Sequence, residues 1–336
     1  MALINMKDLL THAKKNKYAV GAFNVTNLDL IDHILDAAIE SNSPVILQLA
    51  EVHFRYLNLE DIAPALVSAA KKVSIPVCIH LDHGKSLKTM IRAIRAGFTS
   101  IMYDGSEYPL EENAARTKEV VRIANSVDVS VEGEIGNLGG EAVGIEAAIP
   151  HEASEDMFTR VEDADFFVKE TGLDALALSI GNVHGLYKGK PKLDFDRLKA
   201  IRDTVNIPLV LHGGSGISDD DFRKAISLGI CKINFYTGIS QTAVESVHKF
   251  IDEHPESISY PDLTRIAMTE VKKIALGRME AFGSKGKCAA DKTLCITCSK
   301  NSCGIDDPRI KPEARTVIYQ ELVKKISNEV LHNIKK

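Results

Sequence analysis

The sequence predicts an α/β chain that closes into a (β/α)8 barrel and carries a C-terminal extension, first Cys-rich and then helical. Three observations carry this. Short β-branched or apolar runs alternate with amphipathic helical patterns almost from end to end, eight such runs are present, and titratable or amide residues follow several of them. Strand, helix, strand in regular succession implies a parallel sheet, because parallel neighbours need a crossover between them. An open doubly wound sheet would place its site at one switch point, whereas a barrel gathers every strand end at one mouth. Asp82 with His83, Asp104, Glu132 with Glu134, His212 and Asn234 stand at or just past the ends of different runs, and His184 follows another by four residues. That distribution favours the barrel.

The first run, AVGAFNV (19–25), precedes LDLIDHILDAAIE, whose apolar residues recur at i, i+3 and i+4 as a helix requires. PVILQLA (44–50) and PVCIHLD (76–82) each open on a proline, where a missing N–H does least harm to a ladder. TSIMYD (99–104) follows the helical LKTMIRAIRAG, which Gly97 closes. VSVEGEIG (129–136) puts Glu132 and Glu134 on one face by period-two alternation. The irregular stretch 137–160 exceeds the usual strand-to-helix connection and reads as a functional lid or a disordered loop. ALALSI (175–180) after Gly172, PLVLHGG (208–214) opened by Pro208, and KINFYT (232–237) after FRKAISLG and Gly229 complete the eight.

At 336 residues, 45% hydrophobic and 26% charged, the chain can bury a large core. It is read as a barrel over 1–287 and a tail over 288–336. A net charge of −5 without a long basic block gives no nucleic-acid footprint. No apolar run reaches the roughly 18 residues a membrane helix needs, and MALINMKDLL lacks a signal-peptide core. The expectation is a soluble cytoplasmic protein with no membrane partner. Cys78 and Cys231 sit inside apolar runs and are expected to be inert core residues.

Three histidines carry the strongest chemical signal: His83 in HLDHG, His184 in GNVHG and His212 in LHGGSG. Each adjoins glycine, which lets backbone and ligand approach closely. Three imidazoles that leave one position open make a catalytic divalent-metal arrangement, zinc first among the candidates. The competing account is three hydrogen-bonded histidines at a barrel rim. His80 is expected to fill the barrel interior. Asp82 cannot point the same way as His83 on a regular strand, so it is placed to move a proton on the bound substrate, or else to orient a histidine. HGGSG (212–216), leading into a helix, is a candidate phosphate cradle of backbone N–H groups and the Ser215 hydroxyl. Lys188 and Lys190 stand beside His184, and NFYT adds Asn234 and Thr237 at the last strand, where barrels often bind phosphate. Glu132 or Glu134 could reach the metal, with an ion pair to a neighbouring strand as the alternative for Glu132.

AFNV, HLDHG, MYDGS, VEGEIGNLGG, GNVHGLYKGKPKLDFDRL, LHGGSGISDDDF and KINFYT occur in the order and spacing of the class II, zinc-dependent ketose-bisphosphate aldolases. The chain resembles that family, of the fructose- and tagatose-bisphosphate type, from residue 1 to about 287. The resemblance implies a TIM barrel that reversibly cleaves a phosphorylated ketose into dihydroxyacetone phosphate and an aldehyde. It implies Zn2+ on His83, His184 and His212, with a monovalent cation (Na+ or K+) as a frequent helper. Asp82 would exchange a proton with the oxygen on C4, and Asp104 and Glu134 would hold a second or displaced metal ion. Gly185, Gly213, Gly214, Ser215, Asn234 and Thr237 match the dihydroxyacetone-phosphate site. The implied assembly is a homodimer or homotetramer.

The family draws a second acid/base from a loop glutamate two positions past the glycine pair, where this chain has Ala142. Glu141 is the first candidate and Glu146 the second. NFYTG carries Tyr236 and Gly238 in place of polar side chains, and Ala50 stands where a hydroxyl residue is common. These departures point away from fructose-1,6-bisphosphate, on the aldehyde side. A metal-dependent sugar-phosphate epimerase or a non-catalytic barrel supporting a partner aldolase are the other readings. The epimerase would need acids on opposite faces of the sugar carbon, a pairing the motifs do not suggest. A supporting subunit would be expected to lose a ligand or the acid, yet Asp82 and all three histidines remain. Beyond the resemblance, Cys288, Cys295, Cys298 and Cys303 make a candidate tail metal site, and 315–334 has the pattern of an amphipathic helix.

Overall fold

The computed structural model describes residues 3–139, 150–256 and 259–290. Eight parallel strands close in the order β1 (Val20–Asn24), β10 (Ile230–Asn234), β9 (Leu209–Leu211), β7 (Ala175–Leu178), β5 (Ser130–Ile135), β4 (Ser100–Tyr103), β3 (Val77–Gly84), β2 (Val45–Ala50) and back to β1. All eight expected runs are strands of this barrel. Two short strands, β6 (Pro150–His151) and β8 (Leu186–Tyr187), pair outside it.

Local chemistry starts the helices where the chain leaves each strand. In α2 (Leu28–Glu40) the N-cap Asn27 Oδ1 accepts the Leu30 N–H at 2.8 Å. Ser86 caps α4 (Leu87–Arg95), Asp194 caps α7 (Phe195–Thr204), and Ser218 caps α8 (Asp219–Ser227) in the same manner. The uncapped α3 (Leu59–Lys72) and α5 (Leu110–Asn125) instead carry paired acids in their first turns. Gly172 ends α6 (Val161–Thr171) at φ 65°, a left-handed turn that glycine adopts without a Cβ penalty. The long α9 (Thr237–Glu253) and α10 (Tyr260–Ala281) pack on each other, and α10 also packs on α2.

The barrel interior changes character along its axis. Helix α1 (Met6–Asn16) buries Met6, Leu9, Leu10 and Ala13 against Val20, Ile46, Cys78, Ala175, Val210 and Cys231, closing the N-terminal end with an apolar plug. Each fully buried large side chain contributes roughly 1.5–3 kcal/mol. Above this layer the inward positions turn polar: Gln48, His80, Glu132 and Lys232 are completely buried. Lys232 Nζ lies 2.8 Å from Glu132 Oε2, so neither charge is buried alone. A register shift between Ile230 and Lys232 brings the Lys232 side chain inward behind the buried Cys231. Both Cys78 and Cys231 are buried, with thiols pushed up by desolvation to about 12 and about 11.

Cys288, the first residue of the expected tail, sits in the short α11 (Lys287–Ala290) and belongs to the barrel's core. Its N–H donates to the Asn42 carbonyl at 3.0 Å. Cys295, Cys298 and Cys303, the helical pattern at 315–334, and both loop glutamates, Glu141 and Glu146, lie outside the described residues. Among the described residues, no helix is long and apolar enough to cross a membrane.

Candidate active site

A cavity of about 520 Å³ occupies the C-terminal mouth, and Asp82, His83, His184, Asp104, Glu134 and Asn234 all line it. His212 lies just beneath, completely buried. The end of β3 makes this possible. His80 pairs with Ser100 and Leu81 with Ile101, but the next pair is Gly84 with Tyr103. Two residues, Asp82 and His83, therefore face one on the neighbouring strand, and His83 takes a left-handed φ of 45°. Strict alternation would send these two side chains to opposite faces. The bulge corrects that expectation: both reach the mouth, with Asp82 Oδ1 and His83 Nε2 3.9 Å apart.

Asp82 is held by amides. Asn24 Nδ2 and Gln48 Nε2 donate to its Oδ2 at 3.1 Å each, and Asn234 Nδ2 donates to Oδ1 at 3.0 Å. Burial opposes its ionisation, but the nearby His83, His212, Lys232 and His80 together outweigh that cost and hold its pKa far below the usual carboxylate range. Asn24 and Gln48 were not singled out in the sequence. An amide within an apolar strand has no local signature, and only the closed barrel shows that both reach one carboxylate.

The histidines form a directional chain. His212 Nε2–H donates to Glu132 Oε1 at 2.8 Å, which leaves Nδ1 with its lone pair toward His83 Nε2 at 2.9 Å. His83 Nδ1–H donates to Asp104 Oδ2 at 2.9 Å. Burial would lower the His83 pKa, yet Asp82 and Asp104 raise it to about 10. His184 is driven well below its ordinary value, first by burial and then by the other two imidazoles, and its Nε2 is buried with no hydrogen-bond partner among the described residues. Asp104 also accepts from Lys85 Nζ at 2.8 Å and from the Ser106 hydroxyl at 2.6 Å. Glu134 is pushed up to about 8 by burial and the negative field of Asp104, and its Oε2 lies 3.6 Å from His212 Nδ1 with no hydrogen-bond partner among the described residues.

The donor set fits a divalent cation. One ligand atom from each of His83, His184 and His212 lies within 4.8 Å of the others, and His83, Asp104 and Glu134 form a second such group. An unpaired, neutral, buried imidazole nitrogen is a group a metal satisfies. Glu132 takes the orienting place behind His212 and the ion pair with Lys232, so it is a support for the ligand set rather than a member of it.

The opposite wall is built for close approach. A Cβ on Gly213 (φ 65°) would sit 1.9 Å from the Val183 carbonyl, and one on Gly214 2.6 Å from that of Asn234. Ser215 Oγ accepts the Gly238 N–H at 2.8 Å, tying the β9 loop to the start of α9. Gly185 and Thr237 line the same cavity. Lys188 does not. Its side chain is 69% exposed and pairs with Glu152 at 3.8 Å, because the β8 ribbon carries it away from His184. Proximity in sequence did not become proximity in space.

His53, in the helical turn after β2, also lines the cavity, and its placement was not legible from composition or spacing.

Comparison with known proteins agrees with this geometry. The family model described as fructose-bisphosphate aldolase class-II matches residues 4–287. The chain is 40% identical over 295 residues to a probable fructose-bisphosphate aldolase of Bacillus subtilis, covering 85% of this chain and 100% of that one. It is 38% identical over 299 residues to a 6-phospho-5-dehydro-2-deoxy-D-gluconate aldolase of Bacillus licheniformis, covering 88% and 100%. Among solved structures, the YdjI aldolase from Escherichia coli K12 superposes with a TM-score of 0.76 at 36% identity, covering 85% of this chain and 99% of that one. The chain belongs to the class II fructose-bisphosphate aldolase family and is a carbon–carbon lyase of that class.

Proposed function

We propose that this aldolase uses zinc to cleave a ketose 1-phosphate reversibly into dihydroxyacetone phosphate and an aldehyde that carries no second phosphate. The observation that carries the metal-dependent reading is the convergence of His83, His184 and His212 beside an amide-held Asp82 at the barrel mouth. Zinc on the three imidazoles would supply Lewis-acid stabilisation for the negative charge that bond cleavage leaves on the ketone half.

In the cleavage direction, Asp82 takes the proton of the C4 hydroxyl. The C3–C4 bond breaks, C4 becomes the aldehyde carbonyl, and the electron pair remains with C3. Asn24, Gln48 and Asn234 keep the carboxylate aimed throughout. The backbone at Gly213, Gly214 and Ser215, with Gly185, Asn234 and Thr237, would hold the phosphorylated ketone. A second acid then protonates C3, and Glu141 is our first candidate, Glu146 the second. Asp104 and Glu134 would accommodate a second or displaced ion. A monovalent cation near the phosphate and a homodimeric or homotetrameric assembly in the cytoplasm complete the proposal.

Relatives of nearly equal identity bear two different substrate names, so similarity does not choose the aldehyde. The described lining supports an uncharged one. It contains a single Lys or Arg, Lys85, and that ammonium is committed to Asp104, while Glu51, Asp82, Asp104 and Glu107 are acidic. A second phosphate would meet net negative charge there.

The test is metal content with retro-aldol activity on fructose-1,6-bisphosphate, tagatose-1,6-bisphosphate and several ketose 1-phosphates, read as dihydroxyacetone phosphate released. Zinc near one ion per barrel, loss of release on chelation, and a preference for a ketose 1-phosphate are expected. Fructose-1,6-bisphosphate as the best substrate by a wide margin would refute the substrate assignment. Bound zinc without cleavage of any ketose would favour an epimerase or a supporting subunit.

A further inference from the structure

We infer that His53 is the specificity-determining residue for the aldehyde half, hydrogen bonding a hydroxyl of that half while the Tyr236 ring forms the wall beside it. This rests on the aldolase reading above and adds the residue that selects its aldehyde.

The observation is a buried imidazole with nothing to bind. His53 lines the mouth cavity at 1% exposure, and among the described residues neither Nδ1 nor Nε2 has a hydrogen-bond partner. A buried side chain with both polar atoms unpaired calls for an explanation, and at a site the usual one is a ligand. The turn Glu51–Arg55 that carries it is fixed from the other side: Glu51 accepts the Lys85 N–H at 2.6 Å and the Thr89 hydroxyl at 2.8 Å. The imidazole is thus presented on an anchored turn. Among the described residues its ring neighbour is Tyr236, edge-on with centroids 4.8 Å apart.

The position suits the aldehyde half. β2, which leads into the His53 turn, is hydrogen bonded along its length to β3, and Ala50 pairs in register with Asp82. Asp82 serves the C4 oxygen, where the aldehyde half begins, and the turn Glu51–Arg55 that follows β2 continues that wall. Ala50 itself has no polar side-chain atom to offer there, and the Glu51 carboxylate is taken up by the Lys85 N–H and the Thr89 hydroxyl, so His53 is the polar group of this segment left for substrate.

The chemistry suits a hydroxyl. Burial lowers the ring pKa to about 4, with Asp82 pulling it up and Arg55 pushing it down, so it is neutral at pH 7. A neutral imidazole offers one donor and one acceptor. A hydroxyl can use either. A phosphate or carboxylate would use only the donor and would find no free cation in the described lining.

The experiment compares a cleaved ketose 1-phosphate with analogues that each lack one hydroxyl beyond C4, on the wild type, His53→Phe and His53→Gln. Exchange of the C3 proton of dihydroxyacetone phosphate serves as a readout of the ketone half alone. The wild type should prefer one hydroxylated substrate over its deoxy analogue by about tenfold or more in kcat/KM. His53→Phe should bring that preference to within about threefold and lower the ratio of cleavage to exchange by about tenfold or more. His53→Gln, which keeps a donor and an acceptor, should restore part of the preference, and thermal unfolding confirms that both variants fold. A preference that survives in His53→Phe, or a wild type indifferent to every hydroxyl beyond C4, overturns the inference. A wild type that neither cleaves nor exchanges overturns the aldolase reading itself, so the two failures are distinguishable.

Discussion

At the N-terminal end of the barrel, Val20 of β1, Ile46 of β2, Cys78 of β3 and Val210 of β9 close on Met6, Leu9 and Leu10. A few residues further along, the same strands present Asn24, Gln48, Asp82 and the adjoining His212, all buried and all joined in one polar network. Each strand therefore spends its first inward position on stability and its last on chemistry. The lower end gains from removing apolar surface from water. The upper end costs desolvation, and its charges are retained only because amides, carboxylates and Lys232 offset one another. Stability and activity are thus separable along the barrel axis, and that separation can be broken by experiment.

The largest effect belongs at the mouth. Asp82→Ala removes the proposed proton acceptor and should lower kcat for cleavage by about 10²- to 10⁴-fold, with the loss read as dihydroxyacetone phosphate release at saturating substrate. A loss under tenfold would move the acid/base role elsewhere. At the other end, Leu9→Ala should reduce unfolding free energy by about 2–5 kcal/mol in denaturant titration, while kcat of the folded enzyme stays at the wild-type value. A parallel fall in kcat would show that the plug and the mouth are mechanically coupled.

His53 sharpens the comparison through pH. Its folded pKa of about 4 lies below the ordinary 6.5, so between these values the unfolded chain binds the proton and the folded chain does not. Its contribution to stability is complete above pH 6.5 and is lost as pH falls toward 4, by up to an amount on the order of 3 kcal/mol. His53→Phe should therefore show a shallower decline in unfolding free energy over that window, in which Asp82, Arg55 and Tyr236 are the neighbouring titratable groups. An unchanged slope would mean that the ring is hydrated. The smallest effect is reserved for Lys188→Ala, which should change stability by less than about 0.5 kcal/mol and leave cleavage unaltered. A substantial rise in KM would return Lys188 to the site.

Much of this was legible in the sequence, for identifiable reasons. Strand–helix alternation is a short-range pattern, so the eight runs around Phe23, Leu47, Ile79 and their counterparts could be read directly as a parallel barrel. His83, His184 and His212 stood out because glycine and imidazole recur together at strand ends. What failed was anything set by three-dimensional convergence. Asn24 and Gln48 look like ordinary strand residues until closure brings β1, β2 and β3 together. Lys188 looked close to the site because His184 precedes it by four residues, but pairing of Leu186 and Tyr187 with β6 redirects the chain. Period-two alternation likewise separated Asp82 from His83, since a bulge is a departure from the very pattern being counted.

That bulge has a mechanical consequence. Most pairs of cooperating groups at a barrel mouth sit on different strands, so any breathing of the sheet changes their separation. Asp82 and His83 are joined by one peptide, and the unusual φ of His83 is what lets their side chains come within 3.9 Å. Thermal motion of β3 carries Asp82 and His83, the proposed proton carrier and metal ligand, together, as common-mode rather than differential displacement. A loosening of the mouth between strands would leave the single-peptide link between these two groups intact.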